Sequence, residues 1–190
     1  FINISPNNRV PAIVDLEGPN GKPYAVFESG AILMYLAEKS GKLWPQDMTR
    51  RHDATQWLMF QMANIGPMFG QNGYFQGYCP EDVPLAKQRY QDISNQLYKV
   101  MDGRLADYEY LAGPDYSFAD VATYPWVMPR QQEMHKIDVS NYPNVARWAK
   151  SIAQRPAVQR GIASLADSMQ VGNPTQTTYD NLFGGSQFKR

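Results

Sequence analysis

Arg9-Val10-Pro11-Ala12-Ile13-Val14-Asp15, then Gly18-Pro19-Asn20-Gly21-Lys22-Pro23, then Tyr24-Ala25-Val26-Phe27-Glu28-Ser29-Gly30, is the stretch whose reading decides the fold. The first run is short and β-branched, the second is dense in turn residues, and the third opens apolar again. Together they spell a two-strand hairpin. Directly behind it, Ile32, Leu33, Tyr35 and Leu36 recur at helical spacing as far as Ser40-Gly41-Lys42, where glycine is the expected stop. Residues 1–43 therefore read strand, strand, helix. Elements of this number and size bury too little apolar surface to stand alone. Upstream, Phe1-Ile2-Asn3-Ile4 runs into a Pro6-Asn7-Asn8 turn without a starting Met or a leader, and reads like the middle of a domain.

From Trp44-Pro45 onward the pattern changes to helices with no further strand candidate, so residues 44–51 are expected as a linker and 52–169 as an all-helical domain. Trp57, Phe60, Gln61 and Asn64 follow helical spacing, and Gly66-Pro67 is expected to break or kink that helix. Gly70 to Tyr78 reads as a glycine- and aromatic-rich bend. From Pro84 a long amphipathic helix is predicted, with Tyr90, Ile93, Leu97, Val100/Met101 and Leu105 as its stripe. Ser117 and Asp120, three apart before an apolar run, specify a helix start by a reciprocal capping box, with Tyr116 placed to pack on Val121 as a staple. That helix is expected to reach Trp126 and to be stopped by Pro125 and Pro129. A helix over Asn144 to Gln154 carries Val145, Trp148, Ala149 and Ile152 on one face, and Pro156 opens a last helix to about Met169. Residues 170–190 read as a surface tail.

Composition narrows the function. The 190 residues carry 18 Lys and Arg against 18 Asp and Glu, with no block of like charge, so the basic footprint of a nucleic-acid binder is missing. No apolar run is long enough for a membrane span. Cys79 is the single cysteine and cannot close an internal disulfide, which fits a reducing compartment and makes the cytoplasm the expected location. His52 and His135 lie far apart, each read as a solvated or helix-end residue, and no metal-binding or Ser-His-Asp pattern is present, so no metal is expected.

The informative unit is Arg9-Val10-Pro11 together with Glu28-Ser29-Gly30. If the Val10-Pro11 bond is cis, the backbone N–H and C=O of Val10 face outward, where an extended peptide can dock as an added strand. Glu28 and Ser29 stand where strand turns to helix, so amide groups, a hydroxyl and the positive helix end suit a carboxylate, while Glu28 suits the ammonium of the same amino acid. The residues describe either a receptor for an amino-acid headgroup joined to a short peptide, or an ordinary strand start and helix start.

Ile4 through Asp15 and Phe27 through Lys39, in this order and spacing, resemble the second half of the thioredoxin-like domain of the glutathione transferases. Trp57-Leu58-Met59-Phe60-Gln61, Gly66 through Asn72, Ser117-Phe118-Ala119-Asp120 and Arg155-Pro156-Ala157-Val158 are similar to the helical domain of their bacterial Nu class, close to the fungal Ure2-like proteins. The resemblance covers residues 1 to about 165 and implies a two-domain architecture, a partial thioredoxin-like α/β domain followed by an all-α bundle. It implies that Val10, with Pro11, pairs with the cysteinyl unit of glutathione, that Glu28 and Ser29 hold the γ-glutamyl end, and that Arg9 lies near the glycyl carboxylate. Arg89 matches an arginine that contacts a second glutathione, although it borders a polar helix face and is equally readable as solvated. Gln71, Asn72, Tyr74 and Phe75 are implied on the second-substrate side.

The ligand so implied is glutathione, one or two reduced molecules or the disulfide, acting on a small disulfide, a peroxide or an electrophile in a homodimer. A glutathione thiolate attacking a disulfide or hydroperoxide is the favoured chemistry. Conjugation to an electrophile, or a transferase-like regulatory module without turnover, are the alternatives. The family's first strand, helix and second strand, with its sulfur-binding side chain, do not occur in this sequence. Residues are therefore expected before Phe1, and no catalytic residue is named.

Overall fold

The computed structural model of the chain describes residues 1–164 and 175–184. These fall into two compact units, residues 1–44 with 175–184, and residues 45–164.

In the first unit, strands β1 (Ala12–Asp15) and β2 (Tyr24–Phe27) pair antiparallel, with Ala12 opposite Phe27 and Asp15 opposite Tyr24. A 3-10 turn at Pro19–Gly21 joins them. Helix α1 (Ser29–Ser40) follows and ends at Gly41 in the left-handed region, as the glycine stop predicts. Val26, Ile32 and Ala37 are buried, a small core for a unit of this size. Lys39 and Tyr35 pin α1 over the hairpin. Both donate to the Asp15 carboxylate, Tyr35 at 2.6 Å, and Lys39 also donates to Glu17 O at 2.8 Å. Lys39 first, and Tyr35 second, hold the Asp15 carboxyl down at about 2. Donating its hydrogen bond to that carboxylate in turn pushes the Tyr35 phenol up to about 12. On the other face of the sheet Val14 and Phe27 are exposed. Within the stretch expected as a tail, helix α9 (Gln176–Phe183) sets the Tyr179 and Phe183 rings against each other at a tilt, with ring centres 5.4 Å apart.

The second unit is helical. Helix α2 (Met48–Phe60) starts inside the stretch expected as a linker, because Asp47 caps it by accepting from Arg50 N at 3.0 Å. Its inner face is Ala54 and Leu58, continued by Gln61 and Ile65 just beyond its end, whereas Trp57 and Phe60 are only half-buried. Gly66-Pro67 does not break the run. A π turn (Gln61–Ile65) leads without interruption into α3 (Gly66–Gly73), and a second π turn (Tyr74–Tyr78) replaces the expected bend. Gly66 N reaches back five residues to Gln61 O, and this wider ring accommodates a proline that cannot donate. A side chain at Gly66 would meet Gln61 Nε2 at 3.0 Å and the Trp126 ring at 3.5 Å, so glycine lets that indole approach the helix.

Helix α4 (Pro84–Asp107) buries Ser94, Leu97, Tyr98, Met101 and Leu105. Of the expected pair Val100/Met101 it is Met101 that points inward, and Val100 is exposed. The capping box predicted at Ser117 opens α5 (Phe118–Thr123), and Pro125 turns its end into a 3-10 turn before α6 (Pro129–Met134). Asp120 does more than cap. Buried completely, it accepts from Ser117 N and Oγ (3.0 and 3.1 Å), Leu111 N (3.0 Å) and Trp148 Nε1 (2.9 Å). Burial raises its carboxyl above the usual range, and these bonds oppose that rise.

Helix α7 (Pro143–Ala153) buries Val145, Trp148 and Ile152 as its spacing predicts. Its first turn donates to Asp102 of α4 from Asn144 N and Val145 N at 2.8 and 3.0 Å, while Arg147 returns to the α4 carbonyl of Leu105 at 2.7 Å. Burying Leu58, Ile65, Phe69, Met101 or Ile152 contributes about 1.5–3 kcal/mol each. Helix α8 (Pro156–Ala163) is the last described in this unit, and residues 165–169 of the expected helix lie outside the described residues.

Candidate functional site

β1 begins at Ala12, directly after Arg9-Val10-Pro11, and its partner in the register, Phe27, ends β2 directly before Glu28-Ser29. The two motifs singled out in sequence thus share one end of the hairpin. The approach to Val10 is tied by Ser5, which sequence reasoning missed. This buried serine donates to Arg9 O at 2.7 Å and accepts from Arg9 N at 3.3 Å, closing the loop over the Pro-Asn-Asn turn. A serine four residues ahead of the chain it ties, around a turn, is the one signal that marked it. Beyond the tie the Val10-Pro11 bond is cis, Val10 is 83% exposed, and its backbone N–H and C=O have no hydrogen-bond partner among the described residues. Arg9 and Pro11 are exposed as well.

Across from them, Glu28 has φ 69° and ψ 122°. A glutamate at positive φ costs on the order of 1 kcal/mol, and such strain persists where the surroundings or a function hold it. Its carbonyl accepts from Ile32 N at 2.9 Å and starts α1, which leaves its exposed carboxylate outside the helix. Ser29, half-buried, is the first residue of α1, and the next amides, Gly30 and Ala31, have no intrahelical acceptor. This end of the unit therefore offers an open backbone donor–acceptor pair, a carboxylate for a cation, and a helix N-terminus for an anion.

The other expected residues lie in the helical unit. Tyr74 and Phe75, half-buried, form the start of the second π turn with rings edge-on at 5.1 Å, and Phe75 stacks on Tyr90 of α4 at 5.5 Å and 9°. Tyr90, expected only as a core residue, thus supports an aromatic surface. Arg89 precedes it, exposed, over a depression of about 320 Å³ shared with Leu85, Gln88, Asp92 and Ile93. Gln71 is exposed at the end of α3.

Asn72, expected on the second-substrate side, is fully buried and gives its amide hydrogens to Ser94 Oγ and His135 O. His135, at the helix end where it was expected, is likewise fully buried rather than solvated, and desolvation holds its imidazole down at about 4. Asn72 Oδ1, both His135 ring nitrogens, the Tyr98 hydroxyl and Gln131 Oε1 are buried without a partner among the described residues. Each such group costs about 1–3 kcal/mol if left unpaired. Cys79, half-buried, closes the second π turn through its amide, which donates to Tyr74 O at 2.8 Å. No helix among the described residues is long and apolar enough to cross a membrane.

Comparison with known proteins places these features in a family. The sequence profile described as "Glutathione S-transferase, C-terminal domain" matches residues 73–156. The disulfide-bond oxidoreductase YfcG of Escherichia coli is 42% identical over 170 residues, 88% of this chain and 78% of that protein. A glutathione transferase of Burkholderia graminis, solved with two glutathione molecules per subunit, superposes with a TM-score of 0.82 at 44% identity, over 87% of this chain and 71% of that one. One from Pseudomonas putida, solved with one glutathione disulfide per subunit, gives 0.81 at 42% identity, over 85% and 72%.

Proposed function

The chain belongs to the glutathione S-transferase family, and from that membership we propose that it is a glutathione-dependent enzyme holding its ligand at the hairpin end bearing Val10, Glu28 and Ser29. The observation that carries the site is the convergence there of the open Val10 backbone pair with the Glu28 carboxylate and the first turn of α1. Glutathione has what these groups recognise. It carries an ammonium and a carboxylate on its γ-glutamyl end, and a short peptide backbone that adds beside Val10 as a strand. Arg9 stands near for the glycyl carboxylate.

The chemistry we propose is thiol–disulfide exchange. A glutathione thiolate attacks one sulfur of a small disulfide and expels the other as a thiolate. A second glutathione then attacks the mixed disulfide, so two glutathiones are oxidised to one glutathione disulfide and the substrate is reduced to two thiols. Support comes from the relative named as a disulfide-bond oxidoreductase and from neighbours that bind two glutathiones or the disulfide. No protein cysteine is needed for this sequence of steps. In this reading Arg89 contacts the second glutathione, and Gln71, Tyr74 and Phe75 line the second-substrate side. A homodimer in the cytoplasm completes the proposal, the latter resting on the single cysteine.

Steady-state assays test the reaction class. Glutathione-dependent reduction of hydroxyethyl disulfide, exceeding conjugation of an aryl chloride at equal glutathione, is the expected result. Conjugation with no disulfide reduction would replace exchange by electrophile attack.

A further inference from the structure

The unpaired polar atoms of the helical unit are not scattered. Asn72 on α3 donates to Ser94 Oγ on α4 at 3.1 Å and to the carbonyl of His135, at the end of α6, at 3.0 Å. A carbonyl cannot donate, and the Ser94 hydroxyl gives its hydrogen to Tyr90 O at 2.7 Å. The orientation of the Asn72 amide is therefore settled, and its Oδ1 is a buried acceptor that neither of these partners satisfies. The His135 ring packs against Gly73, the residue next to Asn72, and its two nitrogens, likewise unpartnered, offer in the neutral imidazole one hydrogen and one lone pair. Burial keeps that imidazole neutral.

The surroundings close around this spot. Phe69 meets the imidazole edge-on at 5.3 Å. A side chain at Gly73 would come to 3.4 Å from His135 Nε2 and Cδ2 and 3.1 Å from Met134 Cε, so glycine keeps this edge of the ring clear. Gln131 Oε1, one turn before His135, is a further buried acceptor. Acceptors and one donor that do not pair directly, all fully enclosed, have the chemistry of a site for water, which supplies two hydrogens and accepts two.

We infer that one internal water molecule bridges Asn72 Oδ1 and a ring nitrogen of His135, as a fixed part of the helical unit. It ties α6 to α3 and α4 at the residue pair just before the π turn that carries Tyr74 and Phe75. The water is a structural ligand, held whether or not glutathione is bound.

A high-resolution crystal structure of the full-length protein tests this, together with water–protein cross-relaxation on 15N-histidine-labelled protein in solution. The expected result is one spherical peak within hydrogen-bond distance of both atoms, and a water cross-peak to the His135 ring N–H. His135→Phe keeps the ring and is expected to lose both signals. A direct bond between the ring and Asn72 Oδ1, or absence of the peak beside ordered side chains, would overturn the inference. So would a peak that persists unshifted in His135→Phe. The wild-type density decides the matter if the variant does not fold.

Discussion

At Glu28 a strained backbone and an exposed carboxylate occupy one residue, and they can be separated. Glu28→Gly relieves the positive φ and removes the carboxylate, so stability is expected to hold within about 1 kcal/mol while glutathione affinity falls. Glu28→Ala and Ser29→Ala are expected to cost about 1–3 kcal/mol of binding each, read by calorimetry. Unchanged affinity in all three would detach the site from this end of the hairpin.

His135 makes a second prediction at this scale. Its folded imidazole sits at about 4 and its unfolded one near 6.5, so the unfolded state binds more protons between those values. Stability is therefore full above pH 6.5, falls as pH is lowered, and stops falling from this cause below about 4, a loss of roughly 1–3 kcal/mol. Urea unfolding at pH 7 and pH 5 measures it, and His135→Phe is expected to flatten the difference. An equal slope in the variant would assign the dependence elsewhere. Neither the burial of His135 nor that of Asn72 was legible in sequence. They meet each other across 63 residues, Asn72 meets Ser94 across 22, and a polar residue beside a glycine reads as surface.

Among the elements, those with local causes were legible. The hairpin follows from its turn residues, α1 from its spacing and Gly41, and α5 from Ser117 and Asp120. The π turns were not, because Gly66-Pro67 carries a strong local breaker signal. What overrides it is packing: Ile65 and Phe69 are buried where a continuous run places them, Trp126 packs over Gly66, and helix-interior penalties yield to that burial. For the same reason Asp120 looked like a cap and proved to be a junction of α5, α7 and the Leu111 segment. Asp120→Asn sets an amide NH2 against at least one of its four donors, and is expected to destabilise the protein by about 2–4 kcal/mol in urea unfolding. A loss below about 0.5 kcal/mol would show that the junction holds without the carboxylate.

At the scale of the molecule, a small α/β unit contributes the proposed headgroup receptor, and a larger helical unit contributes an aromatic surface braced by Tyr90. The open Val10 backbone and the Glu28-Ser29 junction were legible because they are backbone features that proline and a strand-to-helix junction announce. The loop tie at Ser5 was not, since it depends on how one turn closes. Family membership ties the chain to glutathione, and the ligand's own stoichiometry bears most directly on the proposal. Calorimetric titration of the full-length protein with reduced and then oxidised glutathione is the measurement to make. The account predicts saturable binding of the disulfide, or of two reduced molecules per subunit, lost in the Glu28→Ala, Ser29→Ala double variant while the fold is retained; no binding of either form to the folded wild-type protein would contradict it.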